Sequence, residues 1–230
     1  VDQDAIVAGR ARALSMLERA ASVALAIDGD EVVARVTNHS GHKLPTGHIE
    51  GRRAWLNLRF VDTAGQLLGE HGHYDPIEAH LDEATTTVYE MQVGLSPEAA
   101  AATGLPAGVT THMALADTIE KDTRIPPRGF SNASFEAAGA PAVGATYADG
   151  QYWHEARFPL PAQTAQVHAT LYYQTLTRHY IAALRDGNTT DDWGDTLHAL
   201  WQQTGRGAPV RMTDASLALV DAILADGFEP

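Results

Sequence analysis

Cysteine is missing from all 230 residues. That excludes disulfides, thiolate metal sites, iron–sulfur clusters and covalent attachment of a c-type haem within them. Basic residues are scarce: 16 Lys and Arg stand against 29 Asp and Glu, a net charge of −13. So acidic a surface repels phosphate backbones and anionic lipid, and nucleic-acid binding is not expected. No apolar run approaches the roughly 20 residues of a membrane-spanning helix. Asp2 and Asp4 open an amphipathic stretch, where a signal peptide would be basic and then apolar. The sequence holds no Gly-x-Ser-x-Gly elbow, Walker A run, Gly-x-Gly-x-x-Gly loop or His-Glu-x-x-His helix. With no nucleophile or acid–base set to point to, an independent enzyme is not supported.

What is present suits one domain with insertions. Residues 4–21 have helical spacing of Ile6, Leu14 and Leu17. The chain then switches to period two: Val23–Ile27 and Glu31–Thr37 predict a hairpin around Asp28-Gly29-Asp30. Ala54–Asp62 alternates and predicts a strand with one buried face. Further strands are expected at 66–70, 85–93, 110–116 and 166–175, and short helices at 97–102, 178–185, 193–204 and 216–225. About seven short strands separated by turn signals predict a mainly β protein. The expected fold is an Ig-like antiparallel β-sandwich with an N-terminal helix and C-terminal helices. The expected division is a helix over 1–22, a sandwich over 23–177 with a long inserted loop at 117–150, and a helical extension over 178–230.

Histidine carries the candidate chemistry. His39, His42 and His48 crowd the Gly/Pro-bounded loop 38–48, and imidazoles gathered in a rigid loop can ligate a metal or a haem iron. His71 and His73 form a second cluster. On extended backbone they share a face and can chelate copper or zinc, with Asp75 or His80 as a further ligand. Arg124 and Arg128 lie in a stiff Pro-rich piece, where two guanidiniums can clamp carboxylates such as haem propionates or simply anchor the long loop. Asp117, Glu120, Lys121, Asp122 and Arg124 make a mixed charge run of the kind that usually forms a solvated face, and Glu50, Arg52 and Arg53 suggest an ion pair.

Four ordered motifs, the first in two adjoining parts, carry a resemblance. Val36 to Gly47 (VTNHSGHKLPTG) is followed by Glu50 to Asn57 (EGRRAWLN); then come Lys121 to Phe130 (KDTRIPPRGF), Tyr147 to Trp153 (YADGQYW) and Leu171 to Thr175 (LYYQT). In order and spacing they are similar to the C-terminal β-sandwich domain of bacterial multihaem c-type cytochromes. The resemblance implies a periplasmic or extracellular electron-transfer protein, with haem on a partner or an N-terminal module beyond this sequence. It also implies that the His42 loop contacts a haem or metal. The departure is the missing Cys-x-x-Cys-His, so haem attachment does not carry over. Two other readings stay open. One is a stand-alone periplasmic copper or zinc protein using His39, His42, His48, His71 and His73. The other is a protein- or sugar-binding sandwich with Trp55, Trp153, Trp193 and Trp201 as aromatic platforms.

Overall fold

The computed structural model describes residues 2–219. Helix α1 (Gln3–Ala20) starts at Asp2, whose carboxylate accepts the Asp4 and Ala5 N–H groups at 3.0 and 3.2 Å and so caps the first turn. The next two strands are β1 (Ala21–Asp28) and β2 (Glu31–Asn38), antiparallel from Ala21 opposite Asn38 to Asp28 opposite Glu31. Gly29 turns the hairpin at φ +63°, the left-handed region such two-residue turns require.

The remaining elements follow in order. They are β3 (Arg53–Val61), β4 (Leu67–His71), β5 (Tyr74–Asp75), β6 (His80–Leu81), β7 (Val88–Leu95), α2 (Pro97–Thr103), β8 (Gly108–Val109), β9 (Thr118–Asp122), α3 (Asn132–Ala137), β10 (Trp153–Pro159), β11 (Gln166–Gln174), α4 (Arg178–Gly187), α5 (Trp193–Gln203) and β12 (Val210–Ala218). One sheet runs β1-β2-β10. The other runs β12-β11-β3-β7-β8, with β4 also on β3 and β9 also on β7, and β5 and β6 pair by themselves. Every pairing is antiparallel.

The two sheets share one core. Val32, Ala34 and Val36 of β2 meet Leu56, Leu58 and Phe60 of β3 and Val167, Ala169 and Leu171 of β11. The architecture is a β-sandwich with helices at its N-terminal and C-terminal parts. Burying side chains of this size contributes about 1.5–3 kcal/mol each, which makes this interface the main source of stability.

Several expectations change. Strand β3 is buried on both faces, because the 74–86 excursion covers its second side: Trp55 packs with Tyr74 and Leu81, and with Val88 and Tyr172 of the neighbouring strands. Residues 110–116 form turns instead of a strand, their β-branched residues finding no neighbouring strand to pair. The long loop expected over 117–150 begins as strand β9 and contains α3, while β10 supplies a strand that the sequence pattern had not marked. Ser216–Ala218 belong to β12, paired with β11 through Gln166–His168, so the helix expected at 216–225 is not present there. Its last residues lie outside the described part of the chain.

Candidate functional site

The motifs of the resemblance meet at one end of the sandwich. Asn38, the last residue of β2, is 1% exposed. Its Nδ2 donates to the carbonyls of His42 (2.7 Å), Ile125 (3.0 Å) and Pro126 (3.0 Å), and its Oδ1 accepts the Ser40 N–H at 2.8 Å. Leu44 and Ile125 exchange two backbone hydrogen bonds at 2.9 and 3.1 Å, and both side chains enter the main core. The third motif closes on the same seam, since the Asn38 N–H donates to the Tyr152 carbonyl at 2.9 Å and the Tyr147 hydroxyl to the Thr123 carbonyl at 3.0 Å.

Beside this seam lies a buried ion cluster. Lys43 Nζ donates to Asp122 Oδ2 (2.7 Å) and to the Ala140 and Pro141 carbonyls (2.9 Å each). Arg124 reaches the same carboxylate through Nε (2.8 Å) and Nη2 (2.7 Å). Burial lowers the pKa of Lys43, and the hydrogen bond and charge of Asp122 oppose that shift. Asp122 is 0% exposed, so this part of the charge run is not the solvated face that composition suggested. Arg124 is committed to Asp122 and anchors the long loop. Arg128 is exposed, its guanidinium 4.9 Å from the centre of the Tyr152 ring.

This buried backbone holds the three loop histidines outside. His39 Nε2 lies 2.8 Å from Ser22 Oγ, and His48 Nε2 lies 3.4 Å from Tyr180 Oη. The exposed ring of His42 makes no hydrogen bond to any described residue, while its carbonyl is fixed by Asn38 and by the Ser40 hydroxyl at 3.0 Å. The loop therefore presents His42 from a rigid support.

The second cluster does not form as expected. Gly72 adopts φ +71°, and a side chain there would collide with the Leu56 carbonyl oxygen, so the extended alternation breaks between the two histidines. His71 is half-buried against the edge of the core, its ring centre 4.9 Å from Phe158 and 6.1 Å from Phe60. His73 stays exposed beside Glu70, Nδ1 to Oε2 3.1 Å, on the opposite face of β4. Asp75 accepts the N–H groups of Ile77 and Glu78 at 2.7 and 3.1 Å and closes its own turn. Among the described residues no group of three or more His, Asp or Glu side chains is placed to hold a metal ion. The copper or zinc site expected of His39, His42, His48, His71 and His73 thus lacks convergent ligands there.

Of the four tryptophans, Trp55 and Trp201 are core, Trp153 is half-buried under the Arg35 guanidinium, and Trp193 is 72% exposed. A further histidine, His154 on β10, is half-buried with Nδ1 3.1 Å from Tyr89 Oη; desolvation lowers its pKa, with the Glu155 charge opposing.

Sequence reasoning missed a cleft of about 620 Å³. Its walls come from five separate segments around residues 49–53, 79–83, 90–93, 109–111 and 177–182. Arg53 crosses its floor, paired with Glu83 and donating Nε to Gln174 Oε1 at 3.0 Å. Burial raises the pKa of Glu50, opposed by the charge of His48, and raises that of Tyr180 with help from Glu50. The nearest local signal was the Glu50-Gly51-Arg52-Arg53 run, which suggested an ion pair; Arg53 instead pairs with Glu83, and Glu50 has no partner among the described residues.

No protein-family model matches this sequence, and no curated protein matches it. Among solved structures the fold is similar to that of a penta-heme cytochrome c552 from Thermochromatium tepidum, with a TM-score of 0.50 and 18% sequence identity. The match covers 89% of this chain but 41% of that cytochrome, so the chain spans less than half its length. At this identity the likeness concerns the fold alone.

Proposed function

We propose that this chain is a non-catalytic β-sandwich module of an exported multihaem cytochrome electron-transfer system, docking against or shielding a haem carried by a partner or by another module. The observation that carries the reading is the fold likeness to a penta-heme cytochrome across 89% of the chain. The chain itself has no Cys, so a covalently bound haem of its own does not fit. A haem presented from outside fits better. His42 offers an exposed ring free of hydrogen bonds to the described residues, on a loop whose backbone Asn38 already fixes. An imidazole so placed can supply an axial nitrogen with little ordering cost. Arg128, exposed on the 121–130 stretch that Asn38 ties to this loop, can meet a propionate.

Titration of the protein into a multihaem c-type cytochrome tests this. Co-elution with the cytochrome is expected, with a Soret-band change that His42→Ala abolishes while leaving thermal unfolding unchanged. Absence of co-elution overturns the docking role. A Soret change that survives His42→Ala overturns the ligand role of that residue.

A further inference from the structure

The cleft contains a carboxylate that the fold leaves without a counterpart. Glu50 lines it and is 8% exposed, yet it makes no hydrogen bond or ion pair with any described residue. Two of the three guanidiniums in the same walls have carboxylate partners: Arg53 faces Glu83 and Gln174, and Arg178 faces Glu78 at 3.0 Å. Arg52 donates to the Thr46 carbonyl, and its buried Nε has no acceptor among the described residues. Glu90 accepts from Lys121 at 2.8 Å and from Gln92 at 3.0 Å. Among the described residues an entering anion finds Arg52 as the one lining guanidinium without a carboxylate partner, its Nε buried, whereas an entering cation finds the carboxylate of Glu50 free. The fold gives this largely screened carboxylate no donor among the described residues, and an entering donor that pairs with it adds a charge-assisted hydrogen bond.

The cleft also has the shape for a small ligand. Its volume of about 620 Å³ falls within the usual range for small-molecule sites. Leu81, Met91, Val93 and Val109 give it an apolar side. We propose that the cleft binds an organic ammonium group, its N–H donated to the Glu50 carboxylate and its alkyl part lying against Met91, Val93 and Val109. The raised pKa of Glu50 agrees, since it marks a carboxylate kept from water. This site is separate from the haem reading and stands or falls without it.

An NMR titration of the 230-residue chain at pH 7.5 tests the proposal, with n-butylamine, Nα-acetyl-lysine amide and butyrate as probes. Saturable shifts of cleft amides are expected with at least one amine. Glu50→Gln, which removes the charge at nearly constant shape, is expected to weaken that binding at least ten-fold, and Glu50→Asp to an intermediate degree. Tighter binding of the lysine amide assigns the ammonium to a protein lysine; tighter binding of butylamine assigns it to a free amine. The proposal is overturned if neither amine saturates, or if Glu50→Gln binds as tightly as the parent. It is also overturned if butyrate binds as well as the amines, the result expected if the N–H groups of the first turn of α4 govern the cleft.

Discussion

Loop 38–48 carries three histidines and the turn at 71–73 carries two, in similarly short stretches. They end in opposite states. In the first, the buried parts are the polar neighbours, Asn38 and Lys43, and the imidazole rings are left outside. In the second, one imidazole is half-buried against the core rings of Phe60 and Phe158, and the other lies exposed beside Glu70. Crowding of histidine therefore says little about a site. What decides is which nearby polar groups the fold buries, because these fix the backbone and the direction of every ring around them.

The largest effect should come from the seam. Asp122→Ala leaves Lys43 and Arg124 facing each other in a buried site without their carboxylate, and a loss of about 3–5 kcal/mol in urea unfolding is expected. A loss below about 1 kcal/mol would mean that the cluster is hydrated and does not hold the histidine loop. Asn38→Ala comes next. It strips buried carbonyls of their donor, and a cost of about 1–3 kcal/mol is expected, together with broadening of the His42 ring signals in NMR spectra as the loop loosens.

The turn offers a smaller contrast. His71→Ala removes an aromatic contact from the core and should cost about 1 kcal/mol, whereas His73→Ala should stay within about 0.5 kcal/mol. Equal losses at the two positions would remove the distinction between an inward and an outward ring.

A pH series gives the finest test. Burial lowers the pKa of His154 below its ordinary 6.5. Above that value the ring is neutral in both folded and unfolded chains and costs nothing. As pH falls from 6.5 through the lowered native value, the unfolded chain takes up the proton first, so stability is lost. The urea midpoint should therefore drop more between pH 7 and pH 5 in the parent than in His154→Asn. Parallel profiles would show that the ring beside Tyr89 protonates as readily in the folded protein.

Local pattern revealed the parts of the fold that local forces build. The β1–β2 hairpin, α1, α2, α4 and α5 follow from period, caps and Gly29. Trp55 and its strand were legible as β but not as doubly buried, because the cover comes from residues 74–86, and pairing of that excursion leaves no mark in 54–62. Ser216–Ala218 looked helical because Leu and Ala favour helices; the hydrogen bonds offered by β11 override that preference. The candidate site was half visible. The resemblance marked the 36–47, 121–130 and 147–153 stretches by order and spacing, and the structure brings them together through Asn38, Leu44 and Tyr147. The cleft was not visible, since its five wall segments become neighbours only when the second sheet closes.

The Asn38 seam also bears on how the chain reaches its fold. It ties position 38 to positions 125, 126 and 152, so its hydrogen bonds reward the chain only after a loop of more than eighty residues has closed. Such contacts form late, and they open only when nearly everything else opens. The amides of Leu44 and Ile125 should then exchange with solvent deuterium as slowly as those in the middle of β3. A loop that looks like surface decoration would in that case be the last latch to close and among the last to release.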